Sequence, residues 1–160
     1  MSILKIYKYG EEILTQKTKR INFNSLEKKL PKIIEDMTQT CLMMEGVGLA
    51  APQVGLDIAL VIVMLPQKEE GKYKRYVLIN PEITIKKGKT LSQEGCLSFP
   101  GLAVQLERAT EVKVKYLDER GLPVELTAKG FLAIILQHEI DHLEGVLFID
   151  IASEIEYDQQ

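Results

Sequence analysis

Gln137-His138-Glu139-Ile140-Asp141-His142 contains the only two histidines of the chain, four residues apart, with a glutamate directly after the first. Four residues is just over one turn of α-helix, so both imidazoles project from one face at a separation that a single metal ion can bridge. The plain alternative is a pair of histidines on a partly buried helix, satisfied by ordinary hydrogen bonds. The H-E-x-x-H arrangement argues against chance, and it asks for a third ligand from elsewhere in the chain.

Phe131, Ile134 and Ile135 share the helix face of His138 and His142, which sets an apolar wall within two turns, roughly 10 Å, of the rings. Thr127 reads as the N-cap of this helix and Gly145 as its stop. Hydrophobic residues fill 46% of the 160 positions, enough for one substantial core, so residues 1–160 read as a single catalytic domain.

Residues 5–23 show no sustained period and read as an extended, loop-rich lead-in that says little about function. Asn24 with Glu27 resembles a capping box. Leu26, Leu30, Ile33, Ile34, Met37, Cys41 and Met44 then recur at helical spacing, an amphipathic helix that Pro31 either kinks or delays. Cys41 lies on that apolar stripe and reads as a core thiol. Gly46-Val47-Gly48-Leu49-Ala50-Ala51-Pro52-Gln53-Val54-Gly55 ends the helix, and its small residues let backbone approach another group closely. The lysine and hydroxyl of a phosphate loop are absent from it. Gln53 is its one polar side chain, with an amide that either donates into a site or ties down the loop.

Short β runs follow at 58–64, 73–79, 83–85 and 112–117, where Val112, Val114 and Tyr116 alternate with Lys113 and Lys115. Asp118-Glu119-Arg120-Gly121 reads as a hairpin turn into 124–127, and the polar tail 153–160 reads as a fraying end. These elements predict an α+β fold: antiparallel sheets packed around a central C-terminal metal-binding helix, with a second amphipathic helix near the N-terminus.

Twenty basic against 23 acidic residues, with no basic cluster, exclude a nucleic-acid substrate. No apolar run approaches the roughly 18 residues of a membrane span, and Lys5 interrupts the N-terminal stretch where a secretion signal would be apolar. A cytoplasmic, reducing setting is expected, in which Cys41 and Cys96 stay unpaired.

Cys96 sits in Glu94-Gly95-Cys96-Leu97-Ser98-Phe99-Pro100-Gly101, between glycine and a turn, off any amphipathic stripe. A metal ligand is the sharper reading, since the two histidines lack a third partner. Cys96, His138 and His142 would leave a divalent ion one position short of tetrahedral, the mark of a catalytic rather than a structural site. Glu139 is held beside that position by helix geometry, able to accept a proton from water and pass it to a leaving nitrogen. Amide hydrolysis is the natural reaction class. The oxyanion that forms needs further donors, and Gln53 and the backbone N–H of Leu97 are the candidates. Glu94 is expected to fix the cysteine loop by pairing with a base such as Arg108.

Three segments, Gly46 to Gln53, Glu94 to Ser98 and His138 to His142, together resemble the motifs of the peptide deformylases, in order and with similar spacing. The resemblance implies removal of the N-formyl group from the initiator methionine of nascent polypeptides, with release of formate. It implies Fe²⁺ as the metal, with Zn²⁺ or Ni²⁺ as substitutes. The matching positions make Cys96, His138 and His142 the ligands, Glu139 the acid/base, and Gln53 with the Leu97 amide the oxyanion donors. Backbone at Val47 and Gly48 would hold the peptide like an added strand, and Phe131, Ile134 and Ile135 would line the methionine pocket. Two departures stand out. Common bacterial members continue into a further helical segment that aids ribosome contact, whereas this chain ends about ten residues after Asp150, which weakens the case for ribosome contact. Many also carry an arginine at the position of Ala103. The rival readings are another H-E-x-x-H zinc peptidase or amidase, and an inactive peptide-binding homologue.

Overall fold

The computed structural model describes residues 2–157. One strand explains the architecture. β2 (Leu60–Pro66) opens with Leu60-Val61-Ile62-Val63, apolar at every position, so both faces of the sheet it belongs to must be covered. One face, with Leu60 and Ile62, packs against Met37 and Cys41 of α2 (Leu30–Met43). The other, with Val61 and Val63, packs against Ala133, Leu136 and Ile140 of α3 (Gly130–Leu143). α3 is therefore a central helix that carries both histidines inward.

The five-stranded sheet runs β1-β2-β3-β6-β7, all antiparallel, with β1 Gly48–Ala50, β3 Tyr73–Lys87, β6 Glu111–Leu117 and β7 Pro123–Lys129. A second, three-stranded sheet runs β4-β5-β8, with β4 Thr90–Cys96, β5 Phe99–Arg108 and β8 Glu154–Tyr157. Phe99, Val104 and Leu106 of this sheet form their own core with Leu14, Leu147 and Phe148. The fold is the expected α+β arrangement of antiparallel sheets around the C-terminal helix.

Several local expectations are corrected. The cap near the first helix is Asn22, whose side chain accepts from the Ser25 N–H, and it serves only the single turn α1 (Phe23–Leu26). Asn24 and Glu27 are not its capping box. α2 starts afresh at Leu30 with Pro31 in its first turn, so the proline delays the helix rather than kinking it. The runs at 73–79 and 83–85 are one strand, β3. Asn80, at φ 52°, shifts the register while its side-chain amide bonds both N–H and C=O of Ile21. Thr127 is not a cap: it pairs with Lys113 in the sheet, and α3 begins only at Gly130, whose φ of 62° turns strand into helix. The tail from Glu154 to Tyr157 does not fray, because β5 offers it a free edge; positions 158–160 lie outside the described residues.

The largest correction concerns 90–108, which falls between the β runs expected at 83–85 and 112–117. It is the hairpin β4–β5, with Cys96 paired to Phe99 at its tip. Its polarity is inverted along β4: Ser92 and Glu94 face inward while Leu91 is exposed, so period-two hydrophobicity does not announce the strand.

Candidate metal centre

The tip of the β4–β5 hairpin meets the middle of α3. There the ligand atoms of Cys96, His138 and His142 all lie within 4.8 Å of one another. Cys96 Sγ is 3.4 Å from His142 Nε2. His138 turns Nδ1 away, where it donates to Glu94 Oε1 at 2.7 Å, leaving Nε2 for the cluster. Glu94 is in turn gripped by Arg108, whose Nε and Nη2 donate to its two oxygens at 2.9 and 2.8 Å. The remaining arm of that guanidinium donates to Asp141 on α3 at 2.7 Å. The expected Glu94–Arg108 pair is present, and it also orients a histidine.

Glu139 lies against this cluster, with Oε1 3.8 Å from His138 Nε2 and Oε2 buried without a partner among the described residues. The space it occupies exists because position 48 is glycine: a Cβ there would come within 2.9 Å of Glu139 Cγ and 3.1 Å of Ile135 Cγ2. Gln53 is fixed from one end, its Oε1 accepting from the Ala50 N–H at 2.9 Å. Its Nε2 is thereby turned toward Cys96 Sγ (3.4 Å) and Ser98 Oγ (3.3 Å). Leu97 follows Cys96 at the hairpin tip.

Burial and charge set the protonation of the site. Burial pushes the Glu139 carboxyl up to about 7. Burial acts on Glu94 in the same sense, but the Arg108 hydrogen bonds and the His138 ring outweigh it and hold that carboxyl at about 2. In the ion-free protein, burial opposes a charge on His138, yet Cys96, Glu94 and Glu139 together raise it to about 10. His142 is driven well below the usual imidazole range by burial and by the His138 charge. The surroundings thus favour one positive charge among these groups. One thiol sulfur and two imidazole nitrogens, one ring backed by a carboxylate, suit a divalent transition metal, and the partnerless Glu139 oxygen beside them adds to that fit.

A cavity of about 660 Å³ opens onto the cluster between β1 and β4, which are edge strands of the two sheets. Val47, Gly48, Phe131, Ile134 and Ile135 all line it, with Phe131 at the exposed rim. Cys41 stays apart as a closed core thiol, its Sγ bonded to the Gly46 carbonyl.

Sequence reasoning had given no role to Asp141 or Ser98, nor to residues 5–23. The last of these tie the site together from behind: the Tyr7 N–H donates to the Gln53 carbonyl at 2.7 Å and the Tyr9 N–H to the Ser98 carbonyl at 2.9 Å. Asp141, three residues beyond His138, is the one of the three with a signal, since helical spacing brings it near any partner of that ring.

A family model described as polypeptide deformylase matches residues 3–157. The chain belongs to the polypeptide deformylase family. A peptide deformylase of Elusimicrobium minutum is 52% identical over 154 residues, which covers 94% of this chain and 88% of that protein. The crystal structure of peptide deformylase from Thermotoga maritima matches with a TM-score of 0.87 and 38% identity, over 96% of this chain and 99% of that one. A probable peptide deformylase from Synechococcus phage S-SSM7 matches at 0.86 and 35% identity, over 92% and 99% of the two chains. Membership makes the chain an enzyme, a hydrolase of the deformylase class, with a Cys/His/His group able to bind a metal. Neither an unrelated zinc peptidase nor an inactive binding module is favoured. Among the described residues no helix is long and apolar enough to cross a membrane.

Proposed function

We propose that the chain hydrolyses the formyl amide of N-formylmethionyl peptides and nascent chains, releasing formate and a free α-amino group. In this reading residues 1–160 act as one catalytic domain, and the work is done in the cytoplasm. The observation that carries it is the meeting of Cys96, His138 and His142 beside a buried carboxylate, Glu139, that lacks a partner among the described residues.

Cys96, His138 and His142 would hold one divalent ion, Fe²⁺ by family expectation with Zn²⁺ or Ni²⁺ as substitutes. Such an ion polarises the carbonyl under attack and makes water a nucleophile near neutral pH. Glu139 takes the proton released by the attacking water and returns it to the leaving amine nitrogen. Its Oε2, buried without a partner among the described residues, is free to serve both halves of that exchange. Gln53 Nε2 and the Leu97 N–H donate to the oxyanion that develops on the formyl oxygen. The peptide lies as an added strand against Val47 and Gly48, and its methionine side chain rests on Phe131, Ile134 and Ile135.

The test compares a formyl-Met peptide with its unblocked counterpart. Formate release from the first, with internal bonds intact in both, is the expected outcome; internal cleavage without formate would overturn the reading. Glu139→Ala should retain its metal by elemental analysis while turnover drops on the order of a hundred- to ten-thousandfold. Activity purified in air should decay as ferrous iron and Cys96 oxidise, whereas an air-stable activity that tracks zinc content would count against iron.

A further inference from the structure

Ser92 brings a hydroxyl to a cavity wall that also carries Gln93, Glu94 and Glu139. It is only 6% exposed, and it lines the same cavity as Phe131, Ile134 and Ile135. Strand alternation puts its side chain on the face of β4 that carries Glu94, and Glu94 reaches His138 on α3. Ser92 therefore points toward the helix that supplies the cavity's isoleucines. Its hydroxyl makes no hydrogen bond to any of the described residues, unlike the side chains of Glu94 and Arg108 beside it. Among the described residues the fully enclosed polar atoms without a partner are Glu139 Oε2 and His142 Nδ1, so the Ser92 oxygen, unpaired but not enclosed, is reached from the cavity and can donate to an acceptor on whatever fills it.

If the cavity takes methionine, as proposed above, the side chain that enters has one heteroatom, a thioether sulfur, which is a weak hydrogen-bond acceptor. Phe131, Ile134 and Ile135 offer it only dispersion and cannot tell the sulfur from a methylene of the same shape. A serine O–H rotates freely and can be aimed at it. We propose that Ser92 is a specificity-determining residue: its hydroxyl donates to the sulfur of the substrate's methionine and so selects methionine over an isosteric hydrocarbon. This rests on the deformylase reading of the same site.

The experiment measures kcat/KM for formate release from formyl-methionyl and formyl-norleucyl peptides of otherwise identical sequence. It uses the metal-loaded wild type, Ser92→Ala and Ser92→Thr. The wild type should prefer methionine by roughly two- to tenfold, the worth of one modest hydrogen bond. Ser92→Ala should bring the ratio close to one, and Ser92→Thr, which keeps a hydroxyl, should preserve most of it. Binding of the deformylated methionyl and norleucyl peptides, measured by calorimetry on the same three proteins, should show the same ordering without any turnover. A ratio unmoved by Ser92→Ala, or a wild type indifferent to the sulfur, overturns the assignment. Loss of formate release with the calorimetric preference intact would overturn the proposed reaction and leave the Ser92 contact standing.

Discussion

Gly48 and Glu139 compete for one volume, and glycine is what lets the carboxylate have it. Gly48→Ala would drive a methyl group into the Glu139 side chain, so turnover should fall on the order of a hundredfold while metal content, read by elemental analysis, stays at one ion per chain. Glu94 makes a second prediction. Its carboxyl is depressed from 4.5 to about 2 in the folded protein, so its stabilising contribution is complete above about pH 4.5 and is lost as pH falls through the folded value. Thermal melts of the ion-free protein should therefore drop more steeply between pH 4.5 and about 2 than those of Glu94→Gln. Arg108→Met would leave Glu94 buried without its partner and should cost about 3–5 kcal/mol in a denaturant titration. At this scale the reacting groups were legible because the chemistry needs residue types that are rare here: two histidines, two cysteines. Ser92 and Ser98 were not, since serines are common and nothing local marks the one that faces a site; Asp141 offered only its helical spacing from His138.

Helices and strands were legible where hydrophobic period and burial agree. α2 shows its stripe, and β6 alternates valine with lysine as a half-covered strand should. β4 was missed because its inward face carries Ser92 and Glu94, polar residues that serve the site instead of a core. Function had overwritten the pattern there. β8 was missed because polarity alone suggested a loose tail, while the free edge of β5 that captures it is a tertiary fact. Truncation after Ser153 should expose that edge, lowering the melting temperature and promoting association that light scattering would detect at rising protein concentration.

Across the whole molecule, the candidate ligands come from both sides of a division. Cys96 belongs to the three-stranded sheet with its separate core, while His138 and His142 belong to the helix packed on the five-stranded one. An ion held between them would cross-link the two layers. Chelation should therefore lower the melting temperature, and restoring metal at about a hundred times its dissociation constant should return about 2.7 kcal/mol. Topology of this kind, which sheet meets which face of α3, was beyond the reach of motif spacing.

His138 and Asp141 sit three residues apart on α3, and the first is tied through Glu94 to the same guanidinium that holds the second. A rod fastened at two points around its circumference cannot spin. Like a keyed shaft, α3 delivers its rings at one angular setting, and a single residue inserted before His138 would turn them by about 100° and unlock both fastenings together.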